Sequence, residues 1–396
     1  MKKVLRILNR FNIGGPTHNA TFLTKYLYPK YQTKLIAGKK LDSEASSEYM
    51  LKDYEIDFEI IEDMSRSINP IKDLKSFFKI KKIIKEFKPD IVHTHASKSG
   101  ALGRFAAITS KVPIIIHTFH GHVFHSYFGN LKTKFYILLE RYLAKKSSAI
   151  IAISNLQRKE LINEFKICPE RKTHTIQLGF DLDKFQEENL SKRNLFRDEF
   201  NLEAEDIAIG IVGRLTPIKN HTFFLEAIKR LFDNTSRKFK VFIVGDGEDR
   251  FTLERLCNKL NLTTNSEGVI DPLIFFTSWR KDIDKVYAGL DIVALSSKNE
   301  GTPVTLIEAQ ASNKPIVTTD VGGVMDVVKD GITAFVSDKH DFVKFSNNMK
   351  VLVEDDSKRK EMGSAGYNHV SELFSYKRLV RDVGELYENL LNEKDI

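Results

Sequence analysis

The 396-residue chain is expected to fold as α/β: two facing, doubly wound Rossmann-like domains with a cleft between them. Three observations predict this. Short apolar runs alternate with helical-period segments from end to end, the pattern of βα units and parallel sheets. That alternation restarts at Ile207-Ala208-Ile209-Gly210-Ile211-Val212-Gly213, after a charged and weakly periodic stretch. The length also exceeds one ordinary hydrophobic core. In open sheets of this kind ligands bind beyond the strand C-termini, which facing domains would turn toward a common cleft.

Taken in order, the first domain spans 1–185. Its strands are expected near 2–8, 33–37, 56–61, 90–94, 113–117, 149–153 and 173–176, with helices near 17–28, 69–87, 97–108, 130–146 and 154–164. Within the charged stretch 179–205, residues 186–205 read as the linker. The second domain, 206–375, opens on the strand 207–213 and continues with strands near 240–244, 273–277, 291–295, 315–319 and 333–336. The last helical segment, 376–391, has an apolar face that could pack on either domain.

Composition narrows the class of protein. The chain is 42% apolar and 29% charged, as in globular proteins. No apolar run approaches the 18 residues needed to span a bilayer, and Met1-Lys2-Lys3 leads into a core-like strand rather than a signal peptide. Cys168 and Cys257 lie far apart, so a disulfide framework is not expected and a reducing cytoplasm fits. Charge is uneven: residues 1–185 carry 32 Lys and Arg against 18 Asp and Glu, and the remainder 29 against 35. A first half at +14 points to an anionic surface or substrate on that side only.

The most informative run is Ser296-Ser297-Lys298-Asn299-Glu300-Gly301-Thr302-Pro303-Val304-Thr305-Leu306-Ile307-Glu308. It leaves an apolar strand and enters a helix at Pro303, a residue suited to the first helical turn because it lacks the N–H that would go unpaired there. Glu300, with the backbone amides of Gly301 and Thr302 at a positive helix end, suits a ligand bearing both phosphate and hydroxyls. Glu308 lies over a turn deeper and is too polar to serve packing alone. Gly213-Arg214-Leu215-Thr216-Pro217-Ile218-Lys219-Asn220 also follows a buried strand. Its guanidinium and ammonium can together neutralise a diphosphate.

In the first half, Asn12-Ile13-Gly14-Gly15-Pro16-Thr17-His18 allows close approach of backbone to a ligand. It is neither a dinucleotide fingerprint nor a P-loop, and Gly245-Asp246-Gly247-Glu248 fails the dinucleotide pattern too, so a dehydrogenase has little support. Six of eleven histidines fall in Val92-His93-Thr94-His95 and His117-Thr118-Phe119-His120-Gly121-His122-Val123-Phe124-His125. Neutral imidazoles there suit hydrogen bonds to a polyhydroxylated ligand. A metal site is the alternative, without carboxylates or cysteines at ligand spacing to favour it. His93 and His117, inside strands, are the structural candidates. His18, His95, Lys98 and His122 are the acceptor-side candidates. Asp181-Leu182-Asp183 and Asp282-Ile283-Asp284 spell a cation-binding triplet but read as structural, the latter as a helix cap. Segment 71–88 is a basic amphipathic helix; its apolar residues 71, 74, 77, 78, 80, 84 and 87 are expected to pack on the sheet, with lysines facing solvent or anionic lipid.

Together these residues resemble the family 4 retaining glycosyltransferases of GT-B fold, of the bacterial surface-polysaccharide type, over nearly the whole chain. The likeness rests on Gly14-Gly15, the run from Pro89 to His95, Thr118-Phe119-His120, Gly213-Arg214 with Lys219, Val244-Gly245-Asp246-Gly247, Trp279-Arg280-Lys281-Asp282, the Glu300 and Glu308 pair, and Asp320-Val321-Gly322-Gly323. One departure is Leu178, where the family has asparagine. The resemblance implies that Gly14, Gly15, Gly213, Arg214, Lys219, Gly301, Thr302 and Glu308 bind the donor, with Glu308 on the ribose hydroxyls. It implies that His120, Arg214, Lys219 and Glu300 are catalytic, His120 at the reacting sugar and Glu300 on its hydroxyls. It also implies that helix 376–391 packs back on the first domain.

The expected activity is transfer of a hexose, with retention, from a nucleotide-diphosphate sugar (UDP-linked) to a lipid-linked saccharide in cell-surface polysaccharide synthesis. No metal or other cofactor is expected. Partners would be the nucleotide sugar, the acceptor and the anionic cytoplasmic face of the inner membrane, and not nucleic acid. The alternatives are a nucleotide-sugar epimerase or sugar phosphorylase of the same fold, or a non-enzymatic basic membrane binder.

Overall fold

The computed structural model describes residues 1–12, 15–40, 46–65, 67–121 and 130–395, without the side chains of 130–132 and 267. Gly14 and His122 therefore lie outside the described residues. There are two compact units, one of Met1–Phe180 with Phe374–Ile396 and one of Asp181–Leu373.

The first unit is built on β1 (Lys2–Arg10), β2 (Tyr31–Gly38), β3 (Phe58–Ile61), β4 (Ile91–His95), β5 (Ile114–Phe119), β6 (Ala149–Ala152) and β7 (Thr173–Thr175). They form one parallel sheet in the order β3-β2-β1-β4-β5-β6-β7. β4 and β5 are buried along their whole length, as strands covered on both faces must be. The C-terminal helix Tyr376–Asn392 belongs to this unit. Its Leu379, Val383, Leu386, Tyr387, Leu390 and Leu391 repeat at helical spacing and pack with Leu23, Leu27, Tyr31 and Ile91.

The second unit holds β8 (Ile207–Val212), β9 (Phe239–Val244), β10 (Ile274–Ser278), β11 (Ile292–Leu295), β12 (Ile316–Thr319) and β13 (Ala334–Ser337). The parallel order is β10-β9-β8-β11-β12-β13. The winding reverses between β8 and β11, the position at which ligands enter such sheets. The loops leaving those two strands are 213–220 and 296–303, the two runs singled out by sequence.

Two expectations need correction. Residues 186–205 are not a bare linker, because they contain the helix Asn189–Glu199. Its Phe196 is fully buried against Gly289, Phe200 and Phe242, which favours docking by about 1.5–3 kcal/mol. The high charge that hid this helix is engaged: Arg193 and Arg197 both reach Asp291. Second, the apolar stripe of helix Pro70–Phe87 does not all pack on the sheet. Ile80, Ile83 and Ile84 are buried, whereas Ile71, Leu74 and Phe78 are 71%, 56% and 58% exposed. The helix starts where sequence chemistry dictates, with Pro70 in the first turn and the Asn69 side chain accepting from Lys72 N at 3.1 Å. At 3.6 residues per turn Ile71, Leu74 and Phe78 fall on the face opposite Ser76, Ile80, Ile83 and Ile84, so the apolar positions make two faces and only one of them is buried.

Candidate functional site: a carboxylate–ammonium pair and a buried histidine array

In the second unit, β8 ends in Gly213 and the chain loops through Lys219 to the helix His221–Asn234. The Lys219 stem lies over Gly213, 3.6 Å from where a Cβ would sit. Its ammonium donates to Glu300 Oε1 at 2.7 Å, and the Ser297 hydroxyl donates to the same oxygen at 2.6 Å. Both partners are largely buried, so this charge-assisted bond is shielded from solvent screening.

The two loops are stitched together by backbone. Lys298 N donates to Ile218 O at 2.8 Å, and Ser296 Oγ donates to Lys219 O and Asn220 O. From the other side, Thr319 Oγ1 donates to Ser297 O at 2.8 Å and Gly323 N to Glu300 O at 3.1 Å. Gly322 has φ +52°, and a Cβ there would lie 1.9 Å from Glu300 O. Only glycine fits that approach. The helix Val304–Ala311 follows, with Pro303 as its N-cap residue rather than inside its first turn; Gly301 is exposed and Thr302 half-buried.

Glu308 sits on that helix. Burial pushes its carboxyl up to about 7, opposed by the Lys184 charge and a hydrogen bond from Tyr287. Tyr287 is fully buried and its hydroxyl also reaches Thr305 O at 3.2 Å. Arg214 is different: it is two-thirds exposed and pairs with Glu248 at 3.4 Å, a contact weak enough to be exchanged for a ligand.

In the first unit, the histidines that end β4 and β5 form one array. His93 Nδ1 meets the Tyr387 hydroxyl at 2.6 Å and His93 Nε2 meets Thr118 Oγ1 at 2.8 Å. Arg6, also fully buried, donates to Tyr387 at 3.1 Å and to Thr24 at 2.8 Å. His95 stacks on His93 with ring centroids 4.3 Å apart, and its Nδ1 lies 2.9 Å from His120 Nε2. His117 faces the opposite side of the sheet and binds Thr94 Oγ1 at 2.9 Å. Burial first, and neighbouring positive groups second, hold His93, His95 and His117 well below the usual imidazole range; burial alone lowers His120 to about 4. All four are neutral at pH 7. Among the described residues no group of three His, Cys, Asp or Glu is placed to hold a metal ion.

Comparison with known proteins was decisive on family. A model described as Glycosyltransferase Family 4 matches residues 44–184, and one described as Glycosyl transferases group 1 matches 192–369. The chain is 32% identical over 332 residues, 84% of its length and 83% of the relative's, to UDP-Gal:alpha-D-GlcNAc-diphosphoundecaprenol alpha-1,3-galactosyltransferase of Escherichia coli. The chain belongs to the family 4-like glycosyltransferases of GT-B fold. This glycosyltransferase is also 26% identical to the capsular polysaccharide biosynthesis glycosyltransferase CapM of Staphylococcus aureus, over 87% of the chain and 88% of CapM. Anabaena HepE, solved in complex with UDP, shares its fold with a TM-score of 0.80 over 98% of this chain and 100% of that one, at 19% identity.

Within the glycosyltransferase, the predicted site residues fall into three sets. Lys219, Glu300 and the glycines at 213 and 301 meet around one loop pair, with Glu308 on the helix that follows and Arg214 turned to Glu248. His95 and His120 meet each other, and His95 is almost wholly buried. His18 is half-buried between Phe22 and Phe180. Lys98 is committed elsewhere, to Asp73 at 2.5 Å and to Ser67 O. Gly15 begins the helix Gly15–Tyr26, close against Leu178, while Asn19 Oδ1 accepts from Gly179 N at 3.0 Å. The turn that lacks the family's asparagine at 178 thus takes an amide contact from Asn19. Of the Asp-x-Asp triplets, the second is tied into the fold by ion pairs, Asp282 to Arg280 at 2.7 Å and Asp284 to Lys192 at 2.8 Å. Sequence reasoning missed Ser297, Tyr287, Lys184 and Glu248. Ser297 lies in the same loop as Glu300; the others meet their partners only through the fold.

Proposed function

We propose that this glycosyltransferase moves a hexose from a UDP-linked sugar to a polyprenyl-diphosphate-linked saccharide during synthesis of a cell-surface polysaccharide, with retention of anomeric configuration. The observation that carries the donor side is the 2.7 Å Lys219–Glu300 pair at the reversal point of the second sheet. A cation and a carboxylate held at one spot answer a ligand that offers both a diphosphate and sugar hydroxyls. The relatives named above support the choice of nucleotide and of lipid-linked acceptor: one acts on a diphosphoundecaprenol-linked sugar with UDP-Gal, and another serves capsule synthesis.

In the proposed reaction, cleavage of the anomeric C–O bond builds an oxocarbenium-like sugar and a more negative diphosphate. Lys219, its ammonium held beforehand by Glu300 and its backbone by Ser296, stabilises that growing charge without reorganising. Arg214 leaves Glu248 for the phosphates. Glu300 holds donor-sugar hydroxyls, Glu308 the ribose hydroxyls, and His120 a polar contact to the transferred sugar. The acceptor hydroxyl attacks the face from which the diphosphate departs, and the departing phosphate oxygen takes its proton. These charges serve the step without a metal. Lys219→Ala is expected to lower kcat/KM by about 10²-fold or more with an unchanged circular dichroism spectrum; turnover within twofold of wild type would refute the assignment.

The same reading places the protein in the cytoplasm, at the inner face of an anionic membrane. What supports it is the +14 first half together with two exposed apolar faces. Ile71, Leu74 and Phe78 stand among Lys72, Lys75, Lys79 and Lys82, and Phe135, Leu138 and Tyr142 stand among Lys134, Arg141 and Lys145. Apolar side chains ringed by lysines suit the headgroup boundary of anionic bilayers.

A further inference from the structure

Among the described residues the His95 ring makes one polar contact, from Nδ1 to His120 Nε2 at 2.9 Å, and His95 Nε2 and His120 Nδ1 are both buried with no hydrogen-bond partner there. Both rings are neutral at pH 7, so one proton lies between them and each ring has one further nitrogen. Two arrangements are possible. If His120 donates from Nε2, His95 must carry its own proton on Nε2, an N–H with no acceptor among the described residues. If His95 donates from Nδ1, its Nε2 is a bare lone pair and the unpaired N–H moves to His120 Nδ1.

An orphaned N–H costs more than an orphaned acceptor, and more the deeper it lies. His95 is about 1% exposed, whereas His120 is half-buried at the end of β5. The difference in depth selects the second arrangement. The His95 ring stacks at 4.3 Å on His93, which is itself held at both nitrogens, Nδ1 by the Tyr387 hydroxyl that accepts from Arg6 and Nε2 by Thr118 Oγ1.

We propose that His95 is a positioning residue that holds His120 as the tautomer protonated on Nδ1, so that His120 presents a fixed N–H donor to a sugar oxygen. The donor would come from an oriented imidazole supported by a chain running Arg6, Tyr387, His93, His95. This rests on the reading that His120 contacts the transferred sugar, and it adds which nitrogen does so and what sets it.

The test uses full-length protein labelled with ¹⁵N-histidine, with long-range ¹H–¹⁵N correlations assigning the proton on His120, and transfer kinetics alongside. Wild type is expected to show His120 protonated on Nδ1. His95→Phe removes the donor and should move His120 wholly or partly to the Nε2–H form, with kcat falling about tenfold or more and donor KM little changed. His95→Asn places an amide N–H where Nδ1 was and should restore both the tautomer and most of kcat; His95→Gln should not. An unchanged UDP-induced rise in Tm, which reports on Lys219 and Glu308, shows that each variant is folded. Wild-type His120 protonated on Nε2, or a tautomer indifferent to His95→Phe, overturns the proposal. A tautomer that follows His95 while kcat stays at wild type overturns its catalytic role and leaves the donor assignment standing.

Discussion

Glu308 is the residue whose chemistry changes most between the sequence and the fold. A carboxylate on a helix is ordinarily ionised at pH 7, but burial beside Tyr287 pushes this one up to about 7. Only the ionised form can accept from both hydroxyls of a ribose. Between pH 8 and pH 6 the ionised fraction falls from about nine-tenths to about one-tenth, so UDP affinity measured by calorimetry should weaken roughly tenfold over that range. Glu308→Gln should bind weakly at both ends and lose this component of the pH dependence. An equal pH dependence in wild type and Glu308→Gln would show that Glu308 does not meet the ligand. The position of Glu308 was legible in sequence, as a polar residue at an odd place in an apolar helix. Its elevated pKa was not, because Tyr287 and Lys184 are 21 and 124 positions away along the chain.

At the scale of elements, the βα alternation was read correctly because each strand is a short apolar run whose period differs from that of its helix. The helix Asn189–Glu199 was not, because its charge is satisfied only in the fold, through Asp291 and Asp284. The apolar positions of Pro70–Phe87 show the converse: they divide between two faces of the helix, and only one of those faces is buried in the fold. Two predictions belong here. Arg104 on the helix Ser97–Thr109 is fully buried, and its Nη2 donates to both carboxylate oxygens of Glu140, at 2.9 and 2.7 Å. Glu140→Gln leaves a buried cation without its counter-charge and should cost about 3–5 kcal/mol in urea unfolding; a loss under 1 kcal/mol would mean that water reaches the pair. For the exposed faces, Leu74→Ser with Phe78→Ser should reduce co-sedimentation with anionic vesicles severalfold while leaving Tm near wild type. Wild-type binding that is equal on neutral vesicles, or indifferent to salt, would remove the membrane reading.

For the whole molecule, the buried histidines make the first unit acid-sensitive. Their folded pKa values lie below the unfolded value near 6.5, so the stability they contribute is complete above that pH and is lost as pH falls toward the folded values. Each contributes about 1.4 kcal/mol per pH unit in that interval. Glu308 has the opposite sign: its raised pKa favours the folded state below the unfolded carboxyl value, an advantage lost as pH rises through about 7. Four histidines outweigh one carboxyl, so Tm should fall between pH 6.5 and pH 5, and less in His93→Phe with Tyr387→Phe if the substituted core still packs. A flat Tm across that range would mean the array takes up protons without cost. The same folded chain carries the basic half and the acidic half, a division visible in sequence composition. That the lysines of the first half stand around exposed aromatic side chains emerged only from the fold.

The most direct measurement is transfer itself: purified protein, a UDP-hexose and a polyprenyl-diphosphate-linked sugar, with product followed by mass spectrometry for wild type, Lys219→Ala and Glu300→Ala. Sugar added to the lipid-linked acceptor by wild type, with turnover lower by about 10²-fold or more in each variant, is the expected result. Transfer at wild-type rates after loss of either member of the Lys219–Glu300 pair would contradict it.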